Sequence, residues 1–213
     1  MKVLITGFDP FGTEVINPSF EAVKHLPKKI ANAEIIKLEL PTVFQKSSEI
    51  LKKEIQIHHP EIVICVGQAG GRASISLERV AINLAEARIP DNEGNQPVDK
   101  KIEIAGETAY FTNLPIKAMM KNIQQHSLPA EISYTAGTFV CNDIFYRLMY
   151  LINNDYPKIK GGFIHVPFSH EQVNGRENLP SMSLDDITRS LFYAIESAVT
   201  VKVDILENVG VTH

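Results

Sequence analysis

The chain has 213 residues, 44% hydrophobic and 22% charged, a balance that excludes a disordered chain and fits a soluble globular one. Lys plus Arg number 21 against 25 for Asp plus Glu, so the formal net charge is −4 and no global positive field invites nucleic acid. The apolar run at the N-terminus is too short for a signal segment, and no stretch is long enough for a membrane span, so a cytoplasmic protein with no membrane partner is expected.

Lys2 to Phe8 reads as a buried strand, followed by a loop from Asp9 to Ile16. Asn17-Pro18 has the form of a helix start, with Asn17 as N-cap and a helix running towards Leu26. Glu34 to Leu40 is a second strand, and Phe44 to His58 carries apolar residues at helical spacing. Glu61 to Gly67 is a continuous apolar strand, as expected where both faces are covered. Ser74 to Leu84 is predicted as a strand pair or strand-rich excursion, and Arg88 to Asp99 as a polar loop. A helix over 116–126, a strand over 131–134, a helix from Asn142 to Leu151, a strand over 162–166 and a last helix from Leu184 or Asp185 complete the chain. The alternation predicts a single α/β domain over 1–213, an open α/β/α sandwich with a mainly parallel twisted sheet.

Two cysteines, Cys65 and Cys141, are too few for a disulfide framework, and no Cys/His clustering suggests a zinc site, so no metal is expected. Cys65 lies inside an apolar strand and reads as inert packing. Cys141 falls where a small-residue turn (Ala136, Gly137, Thr138) leads into an apolar helix. Unpaired N–H groups and partial positive charge there favour a thiolate and offer donors to an oxyanion. A nucleophile and a buried packing residue are both open readings. Of seven histidines, His165 stands out within the apolar strand GFIHVPF near its carboxyl end, the edge where open α/β sheets place their sites. His170 on the following loop is the runner-up base. For a carboxylate to orient the imidazole, Glu78 in SISLERVAINL is attractive, with Asp9, Asp91 and Asp143 as rivals that spacing does not exclude. The glycine-rich VGQAGGR loop is not a phosphate motif, but it brings Gln68 near a small polar ligand, and GFDPFG puts Phe8 and Phe11 beside the same edge.

Taken together, TGFDPFG with INPS, then VGQAGGR, SISLERVAIN and ARIPDNEG, then SYTAGTFVCN and GFIHVPF resemble the type I pyroglutamyl peptidases, a cytosolic cysteine peptidase family, in the family's order and over nearly the whole chain. The resemblance implies an open α/β sandwich, a catalytic set of Glu78, Cys141 and His165, no cofactor or metal, and peptide substrates beginning with pyroglutamate. It also implies a homo-oligomer, tetramer or dimer. Some members join subunits through a cysteine near the C-terminal helix, where this chain has Ser181 and Ser183. On this reading Arg88 supports the oxyanion. Phe8, Phe11 and Phe139 form an apolar slot with Val140 beside it, and Gln68 and Asn17 meet the lactam. A cysteine amidase for small lactams and a non-catalytic ligand-binding module are the rival readings.

Overall fold

A computed structural model describes residues 1–176 and 178–209; His213 lies outside them. Its strands are β1 (Lys2–Phe8), β2 (Lys29–Ile30), β3 (Ala33–Leu40), β4 (Ile62–Gln68), β5 (Ile75–Glu78), β6 (Val80–Ile82), β7 (Ala109–Phe111), β8 (Ala130–Ser133), β9 (Lys160–Val166), β10 (Phe168–Ser169) and β11 (Ser181–Met182). Seven of them form one sheet in the order β2-β3-β1-β4-β9-β5-β8. β3, β1, β4 and β9 run parallel, as expected. The direction then reverses, because β5 pairs antiparallel with β9 while β8 runs parallel to β5.

The 74–84 segment is strand-rich, but its two strands do not pair with each other. β5 belongs to the main sheet, whereas β6 pairs with β7. The chain leaves the sheet at Arg79, whose N–H donates to Ser133 O and whose carbonyl accepts from Thr112 N.

The helices are α1 (Pro18–His25), α2 (Lys46–His58), α3 (Ile116–Gln125), α4 (Val140–Asn154) and α5 (Leu184–Thr200). α1 begins as read: Asn17 caps it by accepting from Ser19 N, with Pro18 in the first turn. Ser183 caps α5 in the same way, accepting from Asp186 N. α4 starts two residues before the expected Asn142, so Cys141 falls within its first turn.

The period-two alternation of the buried strands divides the core. Val3, Ile5, Ile64, Val66 and Ile164 face α1, α3 and α5. Leu4, Val63, Cys65 and Phe163 face α2 and α4. Among the described residues no helix is long and apolar enough to cross a membrane.

Candidate active site

Parallel strands that begin at one edge of a sheet bring their carboxyl ends to the other. β1, β4 and β9 thereby place Phe8, Gln68 and His165 around one cavity of about 420 Å³, and the start of α4 adds Cys141 to its wall. A larger hollow of about 750 Å³ lies between α4 and the 95–105 loop. Glu78, Cys141 and His165 do not line it.

Register explains how the imidazole and the carboxylate meet. His165 pairs with Gly67 on one side and Ser76 on the other. Continuing the antiparallel pairing with β5 by one step sets Glu78 beside Phe163, on the same face and one level deeper in the sheet. From there its Oε1 lies 2.7 Å from His165 Nδ1. Glu78 is fully buried and His165 is 4% exposed. Facing a carboxylate, Nδ1 carries the proton, which leaves Nε2 as the acceptor. Arg72, at the end of the glycine-rich loop, donates to the same Glu78 oxygen at 2.7 Å and to Thr135 O at 3.0 Å. The buried carboxylate thus has a cation at hand, and the guanidinium is anchored at both ends.

Cys141 reaches this face because Gly67 has no side chain. A Cβ at Gly67 would stand 2.7 Å from Cys141 Sγ and 2.7 Å from the Phe163 ring. The sulfur therefore lies against the strand residue next to His165, in space that any other residue type would fill. Asn142 holds the start of α4 in place: its side chain accepts from Ile82 N at 3.0 Å and donates to Ile82 O and Leu84 O. No side chain caps the helix at Phe139, and the first backbone bond runs from Asp143 N to Phe139 O. The N–H groups of the first turn are left open.

The thiol does not behave as the helix position alone suggests. Cys141 is half-buried and lines the cavity. Burial and then the Glu78 carboxylate push its pKa up to about 12, against the pull of Arg72. The sequence argument weighed the helix dipole and not the desolvation that a tightly packed first turn imposes.

A profile described as pyroglutamyl peptidase matches residues 1–201. The pyrrolidone-carboxylate peptidase of Enterococcus faecalis is 63% identical over 213 residues, covering all of both chains. That of Thermosipho melanesiensis is 61% identical over 95% of this chain and all of its own. The crystal structure of pyroglutamyl peptidase I from Bacillus amyloliquefaciens superposes with a TM-score of 0.95 at 53% identity, covering 97% of this chain and 99% of that one. The chain belongs to the pyroglutamyl peptidase family. It is a cysteine peptidase of the hydrolase class.

In this member of the family, the rival carboxylates have other work. Asp9 Oδ1 accepts from Thr42 N, and Asp91 accepts from Phe44 N, Glu93 N and the Asn95 amide, stapling the loops together. Asp143 accepts from Arg147 Nε and Gln45 N and lines the other hollow. His170 bonds Ser181 Oγ at 2.8 Å, away from the cavity.

Most of the other expected residues do line the cavity. Phe8 is the last residue of β1, as read, and it is 2% exposed. Phe139 sits between Phe11, at 6.2 Å between ring centroids, and Phe44, edge-on at 5.3 Å. Asn17 is buried; its oxygen serves the α1 cap and its amide donates to Asp9 O. Arg88 is exposed on the cavity wall and makes no hydrogen bond or ion pair among the described residues.

Val140 is a correction. It is fully buried in the core below α4 and does not line the cavity, because the first helical residue points towards the sheet while Phe139 and Cys141 flank the opening. Sequence reasoning missed Arg72 and Asn142. An arginine closing a glycine-rich loop at the end of a central strand was the available signal for the first; Asn142 carried none. Among the described residues no group of three His, Cys, Asp or Glu side chains is arranged to hold a metal ion.

Proposed function

We propose that the protein removes an N-terminal pyroglutamyl residue from peptides through an acyl-enzyme on Cys141, with His165 as base and acid and Glu78 as its orienting carboxylate. The observation that carries this reading is the buried 2.7 Å contact between His165 and Glu78, on the strand position next to the one that seats Cys141 Sγ. A sulfur held at about 12 rests as a thiol. His165 Nε2 therefore takes its proton as the sulfur attacks the pyroglutamyl carbonyl carbon, and Glu78 stabilises the resulting imidazolium.

The C–S bond forms, and the oxyanion accepts from open N–H groups of the first turn of α4, with Arg88 supporting it from the wall. Collapse breaks the C–N bond, and the amine leaves with the proton from His165. Water, deprotonated by the same imidazole, then cleaves the thioester and frees pyroglutamate and the thiol.

Phe8, Phe11 and Phe139 suit a small flat ring, while Gln68 and Asn17 supply polar atoms for the lactam. A prolyl N-terminus has a similar ring but lacks the carbonyl, and it brings a charged amine. Leaving the pocket's polar groups unmatched costs about 1–3 kcal/mol each. The test is release of a dye from pyroglutamyl and prolyl amides by the wild-type protein and by Cys141→Ala. Turnover of the pyroglutamyl amide alone, lost in the variant, is the expected result; comparable kcat/KM for both amides contradicts the pocket. The unpaired thiols Cys65 and Cys141 suit a reducing, cytoplasmic setting. We take the protein as a homo-oligomer, tetramer or dimer, which light scattering checks; a monomer contradicts that part.

A further inference from the structure

The amide of Gln68 is held in one sense by residues from two distant loops. Gln68 closes β4, is 9% exposed and lines the cavity. Its two amide ends have nearly the same shape, so sterics do not choose which end faces the substrate. Gln172 does. Its Nε2 donates to Gln68 Oε1 at 2.8 Å, and its own orientation is fixed three times over. Its Oε1 accepts from Ser169 N at 3.0 Å. Its Nε2 also faces Glu14 Oε2 at 3.0 Å and Ile16 O at 3.3 Å.

A backbone N–H only donates, and a carboxylate and a carbonyl only accept. Turned end for end, Gln172 would set N–H against N–H and oxygen against two oxygens. Glu14 is held in turn by Arg176 Nη1 at 2.6 Å. The sequence Arg176, Glu14, Gln172, Gln68 thus fixes which atom accepts at each link. Gln68 Nε2 is left without a partner among the described residues, and it is not sealed from solvent.

We propose that Gln172 is a specificity-determining positioning residue: it turns the N–H2 group of Gln68 towards the cavity, where that group donates to the lactam carbonyl of the substrate. This rests on the pyroglutamyl reading of the same cavity. Gln172 acts only through Gln68 and has no part in the chemistry.

The test is a double-mutant cycle on a pyroglutamyl chromogenic amide with Gln172→Met, Gln68→Met and the double variant. Each single change is expected to raise KM about tenfold with kcat within about threefold, and the double variant to be no worse than Gln68→Met. Independent losses that multiply in the double variant, or a loss in kcat with KM unchanged, overturn the role of Gln172 and leave the pocket reading standing. An unchanged KM in Gln68→Met instead overturns the lactam contact itself, and with it the proposal. Should thermal unfolding show that Gln172→Met does not fold, Glu14→Met probes the same link one step away. It is expected to give a smaller rise in KM that disappears in the Gln68→Met background; persistence of that rise overturns the proposal.

Discussion

Cys65 and Cys141 face the same helical layer, and burial pushes both thiols to about 12. Their neighbours differ. Cys65 is fully enclosed within β4, beside Thr6 in the sheet register, whereas Cys141 opens on a cavity beside a histidine held by a buried carboxylate. Resting acidity therefore does not distinguish the nucleophile from the packing residue. On the mechanism proposed above, access and an adjacent base do, with the thiolate forming only as His165 takes the proton.

The largest effect expected from that contrast is on turnover. Cys141→Ala should lower kcat for a pyroglutamyl amide by roughly 10⁴-fold or more, as loss of a nucleophile does. Cys65→Ala should leave kcat within a few-fold and cost about 1 kcal/mol of stability, read by denaturant unfolding, for the small void it opens. Comparable losses of kcat in the two variants would erase the distinction. Glu78→Gln keeps the shape but frees the tautomer of His165, and should lower kcat on the order of 10³- to 10⁴-fold, measured with the fold checked by circular dichroism.

Gly67→Ala sharpens the comparison from the other side. A methyl group 2.7 Å from Cys141 Sγ and from the Phe163 ring forces one of them away. It should cost about 1–3 kcal/mol of stability and lower kcat more than KM changes. An active, equally stable Gly67→Ala protein would show that the sulfur does not need that seat.

A smaller effect concerns pH. A thiol near 12 gains thiolate steadily as pH rises towards that value, so alkylation of Cys141 by iodoacetamide in the free enzyme should climb from about pH 7 to pH 10 without levelling, ahead of Cys65 throughout. A plateau near neutral pH would mean that the thiolate is already paired with imidazolium before substrate arrives.

These same neighbourhoods show what could be read in advance. Asn17-Pro18, the apolar strands and the placement of Cys141 and His165 at one edge follow from local pattern, because caps, strand runs and strand–helix junctions involve residues close in sequence. Glu78 could not be separated from Asp9, Asp91 and Asp143 by spacing, since each rival is occupied by a backbone N–H group that only the folded chain brings near. Resemblance, not spacing, singled it out. The reversal at β5 was equally hidden, because strand direction follows from long-range pairing and not from apolar pattern. β2, β7, β10 and β11 have two or three residues each, too few for alternation to show. Gln172 gave no signal at all, because its partner Gln68 is 104 positions away.

The most direct measurement is mass spectrometry of the protein quenched in acid during turnover of a pyroglutamyl ester or amide, followed by peptide mapping. A thioester-linked pyroglutamyl group on the peptide carrying Cys141, absent from Cys65 and from the Cys141→Ala protein, is the expected result. Steady turnover that persists in Cys141→Ala, or an adduct confined to Cys65, would contradict it.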